Sequence, residues 1–499
     1  MCGFVCLWNI NDQELARRMI GKIAHRGPDE VRVSQATNVP AIMAHCRLSI
    51  IGPENGSQPM YSAEDILVAN GEIYNYSDLR AILGESAFET ESDSETILHL
   101  FRAGELRWIT KLDGMFAFVL ATPERIIAAR DPLGIKPLFM ARIGNGLAFA
   151  SELKAYDGLG LSEVEAINPG AMFDSIDGFR GWYRMPQGAA EPEPGEDAEP
   201  IWRELRLVLE AAVRKWMVAD VEVGAFLSGG LDSSLIAALA VGSTDRPLKT
   251  FAVGTAGSPD LAAARRVAEH IGSDHHELVF SVDDLVEILP HVIYHLESAD
   301  VDLVRSALPT HFATILARRH VKAVLTGEGA DELFAGYAYH HAYAGKPRAL
   351  ADELTRSLGA MHNINLQRVD RITMAQGLEA RTPFLDRDLI DFAQSIPASL
   401  KMKITDAATQ ETTEKWILRK ACEDLLPADL VWRKKVQFDE GSGTVDALDQ
   451  ALSRKFGVAA PVDRETEGRL YEQLLRDQYE DPELILENAG MWTAGRVTV

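Results

Sequence analysis

The sequence predicts two domains of different fold class, a strand-rich α+β domain followed by an α/β domain with a parallel sheet. The length of 499 residues exceeds what one domain usually holds. Residues 185–200 read MPQGAAEPEPGEDAEP, which is rich in Pro, Gly, Ala and acid and has no periodic apolar pattern, as in a solvated linker. The apolar pattern also changes across this run. We therefore predict domains at residues 2–184 and 201–499, joined by a linker at residues 185–200.

Short apolar or alternating runs, separated by Gly, Pro and Asn, dominate the first domain and predict strands. Helical periodicity predicts two helices there, at residues 12–24 and 94–102. The predicted strands cover residues 41–51, 65–69, 115–120, 125–129 and 147–150.

Helical periods alternate with short apolar strands in the second domain. Helices are predicted at residues 201–217, 233–240 and 260–271, and strands at residues 223–227, 249–253 and 323–325. Alternating strands and helices imply a parallel sheet with helices on both faces.

Composition excludes several classes of protein. The formal net charge is -24, from 74 acidic and 50 basic residues, so a dedicated nucleic-acid or anionic-membrane binder is not expected. The four cysteines have no C-x-x-C spacing, which argues against a disulfide framework or a zinc site. No apolar run reaches the ~18 residues that span a bilayer. The start of the chain lacks the basic region of a signal peptide. We therefore expect a cytoplasmic protein in a reducing compartment.

Cys2 is the first candidate catalytic residue, because removal of Met1 would leave a thiol next to a free α-amine. An α-amine has a pKa of about 7.7 to 8.0, so part of it is neutral at neutral pH and can take the thiol proton. Such a residue would be a nucleophile that carries its own base. Position alone is also compatible with a buried apolar residue that starts a strand.

A glycine loop after the strand at residues 223–227 predicts an anion site. The loop reads SGGLDSS at residues 228–234 and runs directly into a helix, so backbone N–H groups and hydroxyls gather at a positive helix end. It lacks the lysine of a Walker A loop. It resembles the pyrophosphate loop of the N-type ATP pyrophosphatases, which attack the α-phosphate of ATP. Asp232 within it can hold Mg²⁺.

Three further clusters accompany this loop. TGEGADE at residues 326–332 follows a predicted strand, where ligands of open α/β sheets bind, and its acids suit a metal or a proton relay. GLEARTPFLD covers residues 377–386. The basic patch WRKKVQF at residues 432–438 can supply the positive charge that a leaving pyrophosphate needs.

Motifs along nearly the whole chain together resemble one family. They are MCGF at residues 1–4, HRGPD at 25–29, HCRLSI at 45–50, NGEIYN at 70–75, SD at 92–93, RDPLG at 130–134, SELKA at 151–155, SGGLDSS at 228–234, FAVG at 251–254, GEGADE at 327–332 and GLEARTPFLD at 377–386. The chain resembles glutamine-hydrolysing asparagine synthetase of the bacterial B type. In that family a class II glutamine amidotransferase is fused to an ATP-pyrophosphatase synthetase domain.

The resemblance implies that the first domain is an N-terminal-nucleophile hydrolase sandwich of αββα type. Cys2 would attack the glutamine amide, and Asn70 with the Gly71 N–H would form the oxyanion hole. Arg47 would clamp the α-carboxylate of glutamine. Asp93, with the region of Glu72 and Asn70, would hold its α-amino group. Ammonia would then pass through an internal channel to the second domain.

The resemblance also implies that the second domain uses ATP and Mg²⁺ to adenylate a carboxylate, which ammonia then converts to an amide. Glu328 would act in amide formation, and Lys435 would contact pyrophosphate. Arg305 and Glu379 would recognise the acceptor. The nucleotide-binding positions would be Leu227, Ser228, Gly229, Gly230, Asp232, Ser233, Val253, Thr326 and Gly327, and the metal positions Asp232 and Asp331.

The acceptor-recognition segment, residues 297–308, departs from the family pattern. Ala299 replaces a tyrosine, and Ala307 and Leu308 replace a Ser-Thr pair. Each change removes a hydroxyl, which predicts a less polar wall. Aspartate is the expected acceptor, giving asparagine, AMP and pyrophosphate, and a less polar carboxylate of secondary metabolism is the alternative.

Two other classes stay open at the level of sequence. A β-lactam-synthetase-like enzyme would close a ring with an internal amine, but such relatives tend to lose the cysteine nucleophile that is kept here. A non-catalytic sensor would have lost Asp232, Glu328 or Lys435, all of which are present. The expected partners are small-molecule substrates, with no nucleic acid and no membrane, and the expected assembly is a homodimer.

Overall fold

The computed structural model describes residues 2–35, 37–104, 107–189, 197–406, 411–435 and 438–490. Most of the predicted linker, residues 190–196, and the C-terminal residues 491–499 lie outside the described residues, as does the predicted removal of Met1.

The N-terminal domain contains two antiparallel sheets. Its helices are α1 (Gln13–Lys22), α2 (Tyr76–Leu83) and α3 (Glu95–Arg102). Its strands are β1 (Cys2–Trp8), β2 (Glu30–Gln35), β3 (Ala41–Arg47), β4 (Met60–Ser62), β5 (Asp65–Ile73), β6 (Gly114–Ala121), β7 (Ile126–Arg130), β8 (Phe139–Ile143), β9 (Gly146–Ala150), β10 (Glu165–Ala166), β11 (Ala171–Asp174) and β12 (Gly178–Gly181).

These strands form a sandwich. In the described residues one six-stranded sheet has the order β10-β8-β9-β1-β3-β2 and the other the order β12-β11-β7-β6-β5-β4. Side chains of both sheets share one apolar core, in which Phe4 and Cys6 of β1 join Val68 of β5 and Val119 of β6. Helix α1 packs on the outer face of the first sheet, and α2 and α3 pack on that of the second. The predicted αββα sandwich is confirmed.

The C-terminal domain is built on a parallel sheet. Its strands are β13 (Val223–Phe226), β14 (Lys249–Gly254), β15 (Asp274–Val279), β16 (Ala323–Leu325) and β17 (Glu379–Arg381), and the hairpin strands are β18 (Lys403–Asp406) and β19 (Glu411–Thr413). Its helices are α4 (Ala198–Trp216), α5 (Leu231–Val241), α6 (Pro259–Ile271), α7 (Val282–Leu296), α8 (Val301–Arg318), α9 (Ala330–Phe334), α10 (Pro347–Ala360), α11 (Asn365–Met374), α12 (Arg387–Ser395), α13 (Ala398–Lys401), α14 (Trp416–Ala421), α15 (Ala428–Val431), α16 (Phe438–Gly441), α17 (Thr444–Phe456), α18 (Arg464–Arg476) and α19 (Pro482–Asn488).

The parallel sheet has the strand order β15-β14-β13-β16-β17 in the described residues, and all four pairings are parallel. The order reverses direction at β13, from which the chain moves first to one side and later to the other. Ligands of such sheets bind beyond the carboxyl ends of the strands at this reversal. The glycine loop at residues 228–234 follows β13 and therefore lies at the position where such sheets bind ligands.

Two predicted element boundaries differ from the structure. The strand predicted at residues 41–51 ends at Arg47, because the chain leaves the sheet there to form the loop that contacts the Arg47 side chain. Helix α4 begins at Ala198, so the last three residues of the predicted linker form its first turn. Asp197 caps that turn by accepting the Glu199 N–H. The linker limits as a whole stay a prediction.

Both domains contribute to one apolar core at their interface. Leu48, Ile50 and Met115 of the first domain belong to the same buried cluster as Leu325 and Leu385 of the second. This burial fixes the two domains against each other. Among the described residues no helix is both long and apolar enough to cross a lipid bilayer.

Candidate active sites

Cys2 lies buried at the start of β1, directly opposite Arg47 of β3 in the antiparallel pair. The Cys2 backbone nitrogen donates to Asn70 Oδ1 at 3.0 Å, which ties β1 to β5 of the other sheet. With that oxygen engaged, Asn70 Nδ2 is buried and has no hydrogen-bond partner among the described residues. A buried amide donor without a partner beside a thiol is what stabilisation of an oxyanion requires.

Gly71 follows Asn70 in β5 and has a φ of +146°, a conformation that side-chain-bearing residues rarely adopt. A Cβ atom at this position would lie 2.0 Å from the Met115 carbonyl oxygen of β6. Only glycine lets β5 pass this close to its neighbour while placing Asn70 beside Cys2.

The Cys2 thiol needs a base. Its pKa is raised by burial, an effect that the positive N-terminus, the Leu48 backbone hydrogen bond and Arg47 partly oppose. The thiol is therefore the resting form near neutral pH. In the processed chain, the nitrogen held by Asn70 would be the α-amine, and it would lie next to the thiol whose proton it takes.

Arg47 presents a buried positive charge on one side of Cys2. Its Nη2 donates to the Gly52 carbonyl at 2.6 Å and its Nη1 to the Pro53 carbonyl at 3.1 Å. No described acidic side chain forms an ion pair with this guanidinium in the structure. An anionic ligand such as an α-carboxylate would complete its environment.

Two buried acids, Glu72 and Asp93, are close to the strand that carries Asn70, since Glu72 belongs to β5 and Asp93 bonds to Ile73 of that strand. Burial raises the Asp93 pKa to about 6, although its carboxylate accepts the Ile73 N–H at 2.6 Å. Burial and the charges of Glu379 and Asp93 raise the pKa of Glu72 well above its usual value. Buried acids and a buried arginine in one site suit an amino acid that carries both an ammonium and a carboxylate.

The Asp93 pKa predicts a pH dependence for glutamine use. Asp93 is ionised above about pH 6 and neutral below it, so a ligand ammonium loses its partner as the pH falls through 6. We expect kcat/KM for glutamine hydrolysis to fall about tenfold per pH unit below that point, mainly through KM. Steady-state kinetics between about pH 5 and about pH 8 would measure this dependence of kcat/KM on pH.

Asp93→Asn is the control for this pH profile. The variant is expected to have a KM above that of the wild type at pH values above about 6, a KM like that of the wild type well below that pH, and no inflection between them. The same inflection in Asp93→Asn would assign the titration to another group.

Glu379 lies at the interface between the two domains. It is fully buried in β17, accepts from Arg381 Nε at 2.5 Å, and acts electrostatically on Glu72 across the domain interface. Arg381 Nη2 itself lies 3.7 Å from Glu72 Oε2. The expectation of an acceptor contact is thus corrected, because β17 places this carboxylate between the two sites.

A cavity of about 470 Å³ opens beyond the carboxyl ends of β13, β14 and β16. This volume is within the usual range for a small-molecule site. The sequence-predicted residues that line it are Leu227, Ser228, Gly230, Asp232, Ser233, Val253, Thr326, Gly327, Glu328, Asp331 and Lys435. The structure therefore brings together nearly all of the predicted nucleotide, metal and catalytic positions of the second domain.

The glycine loop forms a compact anion cradle at the start of α5. The Ser228 N–H donates to Ser233 Oγ at 3.2 Å, and the two serine hydroxyls are 3.0 Å apart. No side chain caps α5 at Gly230, so its first-turn N–H groups stay available to a ligand. Gly229 lies behind the loop, where a Cβ would approach Ala263 to 2.6 Å, so its role is to allow the turn.

Asp232 and Asp331 converge on one point. Lys415 Nζ lies 2.5 Å from a carboxylate oxygen of each, and Lys435 Nζ is bonded to the other Asp331 oxygen. These lysines hold the Asp331 pKa well below its usual value despite burial. Two carboxylates that already share a cation form the hard oxygen donor set that Mg²⁺ prefers, so these residues fit the ion.

The far end of the cavity is polar. Arg368 of α11 donates to Glu328 Oε1 at 2.5 Å and to Thr310 Oγ1 at 2.9 Å, while its Nε is buried without a partner among the described residues. Asn365 Nδ2 donates to Tyr337 Oη at 2.7 Å. An arginine with a spare donor next to a carboxylate can bind both charged groups of an amino acid.

Helix α8 presents to the cavity a face other than the one expected. Its cavity-lining residues are Asp302, Leu303, Ser306, Thr310 and Ala313, which follow the helical period. Arg305 lies off this face and forms a bidentate pair with Glu467 of α18, at 2.5 to 3.1 Å. The expected acceptor contact of Arg305 is thereby corrected.

Ala299, Ala307 and Leu308 also lie away from the cavity. Ala307 and Leu308 are fully buried in an apolar core, and Ala299 packs against that core. The predicted less polar acceptor wall is therefore wrong, since the lost hydroxyls are not on the wall.

The sequence motifs do not include several lining residues, namely Tyr337, Lys415 and Arg419. Lys415 is 183 residues from the Asp232 that it contacts and belongs to no glycine-rich or paired-charge motif. Arg433 lies in the basic patch that was singled out, where it donates to Gly229 O and Asp260 Oδ1, both at 3.3 Å. The basic composition of that patch is the sequence feature that indicates Arg433 as a site residue.

A buried cysteine at the start of an αββα sandwich, followed by a parallel-sheet domain with a glycine loop and converging acids, is the architecture expected of a glutamine amidotransferase fused to a synthetase. Residues 1–171 match the family described as glutamine amidotransferase domain, and residues 204–494 match asparagine synthase. The chain belongs to the asparagine synthase family.

Curated relatives agree with this family. The asparagine synthetase [glutamine-hydrolyzing] of Asparagus officinalis is 38% identical over 471 residues, which cover 89% of this chain and 78% of that protein. A probable asparagine synthetase [glutamine-hydrolyzing] of Schizosaccharomyces pombe is 37% identical over 491 residues, which cover 90% of this chain and 86% of the relative.

Proposed function

We propose that the protein is a glutamine-dependent ligase that adenylates aspartate with ATP and converts it to asparagine with ammonia taken from glutamine. The observation that carries the proposal is the presence, in one chain, of a buried thiol beside an unpartnered amide donor and of an anion cavity with converging acids. One site releases ammonia, and the other activates a carboxylate that ammonia alone would not attack.

In the glutaminase site, the Cys2 sulfur adds to the amide carbon of glutamine after its α-amine takes the thiol proton. Asn70 Nδ2 and the Gly71 N–H stabilise the oxyanion that forms, each such donor contributing about 2.7 to 4 kcal/mol. Collapse expels ammonia with the proton returned by the amine and leaves a thioester, which water hydrolyses to glutamate. Arg47 and Asp93 hold the two ends of the amino acid.

In the synthetase site, a carboxylate oxygen of aspartate attacks the α-phosphorus of ATP and pyrophosphate leaves. Ser228, Ser233 and the α5 N-terminus bind the phosphates, and Lys435 neutralises the charge that builds on the leaving group. Glu328 lies at the carboxylate end and accepts a proton from the attacking ammonia as the amide forms and AMP leaves. Leu227 and Val253 line the adenosine part of the cavity.

Asp232 and Asp331 would hold Mg²⁺, which would neutralise phosphate charge when bound. Lys415 now occupies the space between the two carboxylates and would move toward the phosphates.

Ammonia is proposed to pass along the domain interface. The shared apolar core, with Leu48 and Met115 on one side and Leu325 on the other, supports this route. Apolar walls exclude water, which keeps ammonia unprotonated and therefore nucleophilic.

Aspartate is favoured as the acceptor because the far end of the cavity offers paired charges. Arg368 can bind an α-carboxylate, and Thr310 and Asn365 supply further polar contacts. A bulky apolar acid would leave the buried Arg368 Nε without a hydrogen-bond partner, which is costly.

Product analysis tests the acceptor. With glutamine, Mg-ATP and aspartate as the sole carboxylate, mass spectrometry is expected to find asparagine, AMP and pyrophosphate in equal amounts. Glu328→Ala is expected to lower asparagine formation by about two orders of magnitude, as for loss of a general base. A panel of other carboxylates, including glutamate and less polar acids, supplies the comparison.

One outcome of this experiment would contradict aspartate as the acceptor. No asparagine above the Glu328→Ala control, together with robust pyrophosphate release on another acid, would replace the acceptor and keep the ligase class.

A cytosolic location accords with the four free thiols of Cys2, Cys6, Cys46 and Cys422. The homodimer stays a prediction.

A further inference from the structure

Six buried charged residues form a closed circuit of ion pairs across the domain interface, here called the interface ring. The first domain supplies Arg26, Glu152 and Lys154, and the second supplies Glu297, Asp370 and Arg371. Around the ring, the distances are 2.5 Å from Arg26 to Glu152, 2.6 Å from Glu152 to Lys154, 3.0 Å from Lys154 to Glu297, 2.8 Å from Glu297 to Arg371, 3.2 Å from Arg371 to Asp370 and 2.8 Å from Asp370 to Arg26.

The ring explains two sequence motifs to which the proposed chemistry gives no part. Arg26 belongs to HRGPD, and Glu152 and Lys154 belong to SELKA. Charges alternate in sign around the ring, so each buried charge has a partner on both sides. A ring of buried charges is a weak source of stability, because desolvation offsets the attraction, but it fixes geometry strictly.

One member of the ring contacts the nucleophile residue. Arg26 Nε donates to the Cys2 carbonyl oxygen at 2.9 Å. Nη1 and Nη2 of the same guanidinium donate to the Asp370 carboxylate, at 2.8 and 3.1 Å. Because the guanidinium is planar and rigid, the two Asp370 bonds determine where Nε points. Glu152 contacts only Nη1, so without Asp370 the Arg26 guanidinium could rotate about that one contact.

Asp370 comes from the synthetase domain. It lies on α11, two residues after Arg368, which lines the synthetase cavity and holds Glu328. Asp370 Oδ1 also lies 3.6 Å from Lys136 Nζ. One helix of the second domain therefore reaches both the acceptor end of its own cavity and the arginine that holds Cys2.

We propose that Asp370 is a positioning residue for the glutaminase nucleophile, contributed by the synthetase domain and acting through Arg26 on the Cys2 carbonyl. The inference rests on the proposed function of Cys2 in glutamine hydrolysis. It makes the glutaminase site incomplete without α11, since the N-terminal domain by itself has no equivalent of Asp370 in the ring.

The test is Asp370→Asn, which keeps the side-chain volume and removes the charge. Glutamine hydrolysis is expected to lose about ten- to a hundredfold in kcat, since misplacement by about 1 Å can cost that much. KM for glutamine is expected to stay within about twofold, because Arg47 and Asp93 bind the substrate. Alkylation of Cys2 by a glutamine-like chloroketone, followed by intact-mass spectrometry, is expected to slow by the same factor.

Two matched variants separate positioning from general damage. Lys322→Met breaks another ion pair between the domains, Lys322 to Asp29 at 2.7 Å, which does not touch Cys2, and is expected to leave glutaminase kinetics unchanged. Arg26→Lys keeps the positive charge of the ring but loses the planar fork, and is expected to reproduce the kcat loss. In the double variant Arg26→Lys with Asp370→Asn, no further loss is expected, because both act through one contact.

Ammonium-dependent pyrophosphate release is the internal reference and is expected to stay within about twofold in Asp370→Asn. Unchanged glutaminase kcat in Asp370→Asn, or an equal loss of both activities, would overturn the inference. If Asp370→Asn does not fold, Arg26→Lys decides by the same assays. A wild-type enzyme that does not hydrolyse glutamine would instead refute the proposed function.

Discussion

Cys2→Ala is expected to abolish glutamine-dependent amide formation and to leave synthesis from ammonium salts intact. The thiol is the atom that bonds to the glutamine carbon, so its loss removes the covalent path and not one contact among several. A loss of at least about 10³-fold in glutamine hydrolysis is expected, as for removal of other nucleophiles. Acyl activation lies in the cavity of the second domain, whose lining includes no residue of β1. Glutamate release and pyrophosphate release, measured in parallel, give the two activities.

Cys6→Ala is the matched control for Cys2→Ala. Cys6 lies in the same strand, is also buried, and faces the apolar core between the two sheets. Its replacement is expected to leave both activities near wild type, with a small loss of stability from the cavity it creates. Loss of the ammonium-dependent reaction in a folded Cys2→Ala variant would contradict the division of labour between the domains.

Local patterns predicted most of the fold. The strand, glycine loop and helix at residues 223–240 appear as β13 and α5, because propensity, turn chemistry and helix start agree there. The strand predicted at residues 41–51 is too long, since Leu48 to Ile51 are buried and resemble a strand although they lie outside the sheet, in a cluster that both domains share. Burial between domains imitates strand patterning, and one sequence does not separate the two.

Sequence motifs predict which segments meet at the cavity, but side-chain direction decides which of their residues line it. Arg305 lies on the expected helix, but its position on α8 turns it toward Glu467. Glu379 lies in an expected motif, but β17 is the edge of the sheet that faces the first domain. Lys415 and Asp370 contact residues that are distant in the sequence, and a single sequence does not predict such contacts.

Asp232→Ala is expected to remove carboxylate-dependent pyrophosphate release and to keep glutamine hydrolysis. Asp232 lies at the start of α5 beside the phosphate cradle and shares Lys415 with Asp331. Its loss would remove one of the two oxygen ligands proposed for Mg²⁺ and would leave Lys415 paired with Asp331 alone. Loss of this electrostatic contact is expected to slow adenylation by about 10²–10³. A coupled pyrophosphate assay with saturating Mg-ATP and aspartate measures it.

The fold is expected to survive Asp232→Ala, because alanine keeps the Cβ that packs against Gly327 and Lys415 keeps one carboxylate partner. Asp232→Asn, which keeps the volume as well, is expected to show the same loss, since the charge and not the shape serves the phosphates. Asp245→Ala, at an exposed acid of the same domain, supplies the control for net charge. Raised Mg²⁺ is expected to restore part of the rate in Asp232→Asn by mass action on a weakened site. Pyrophosphate release near the wild-type rate in both Asp232 variants would remove Asp232 from the phosphate site and leave Asp331 with the two lysines as its charged core.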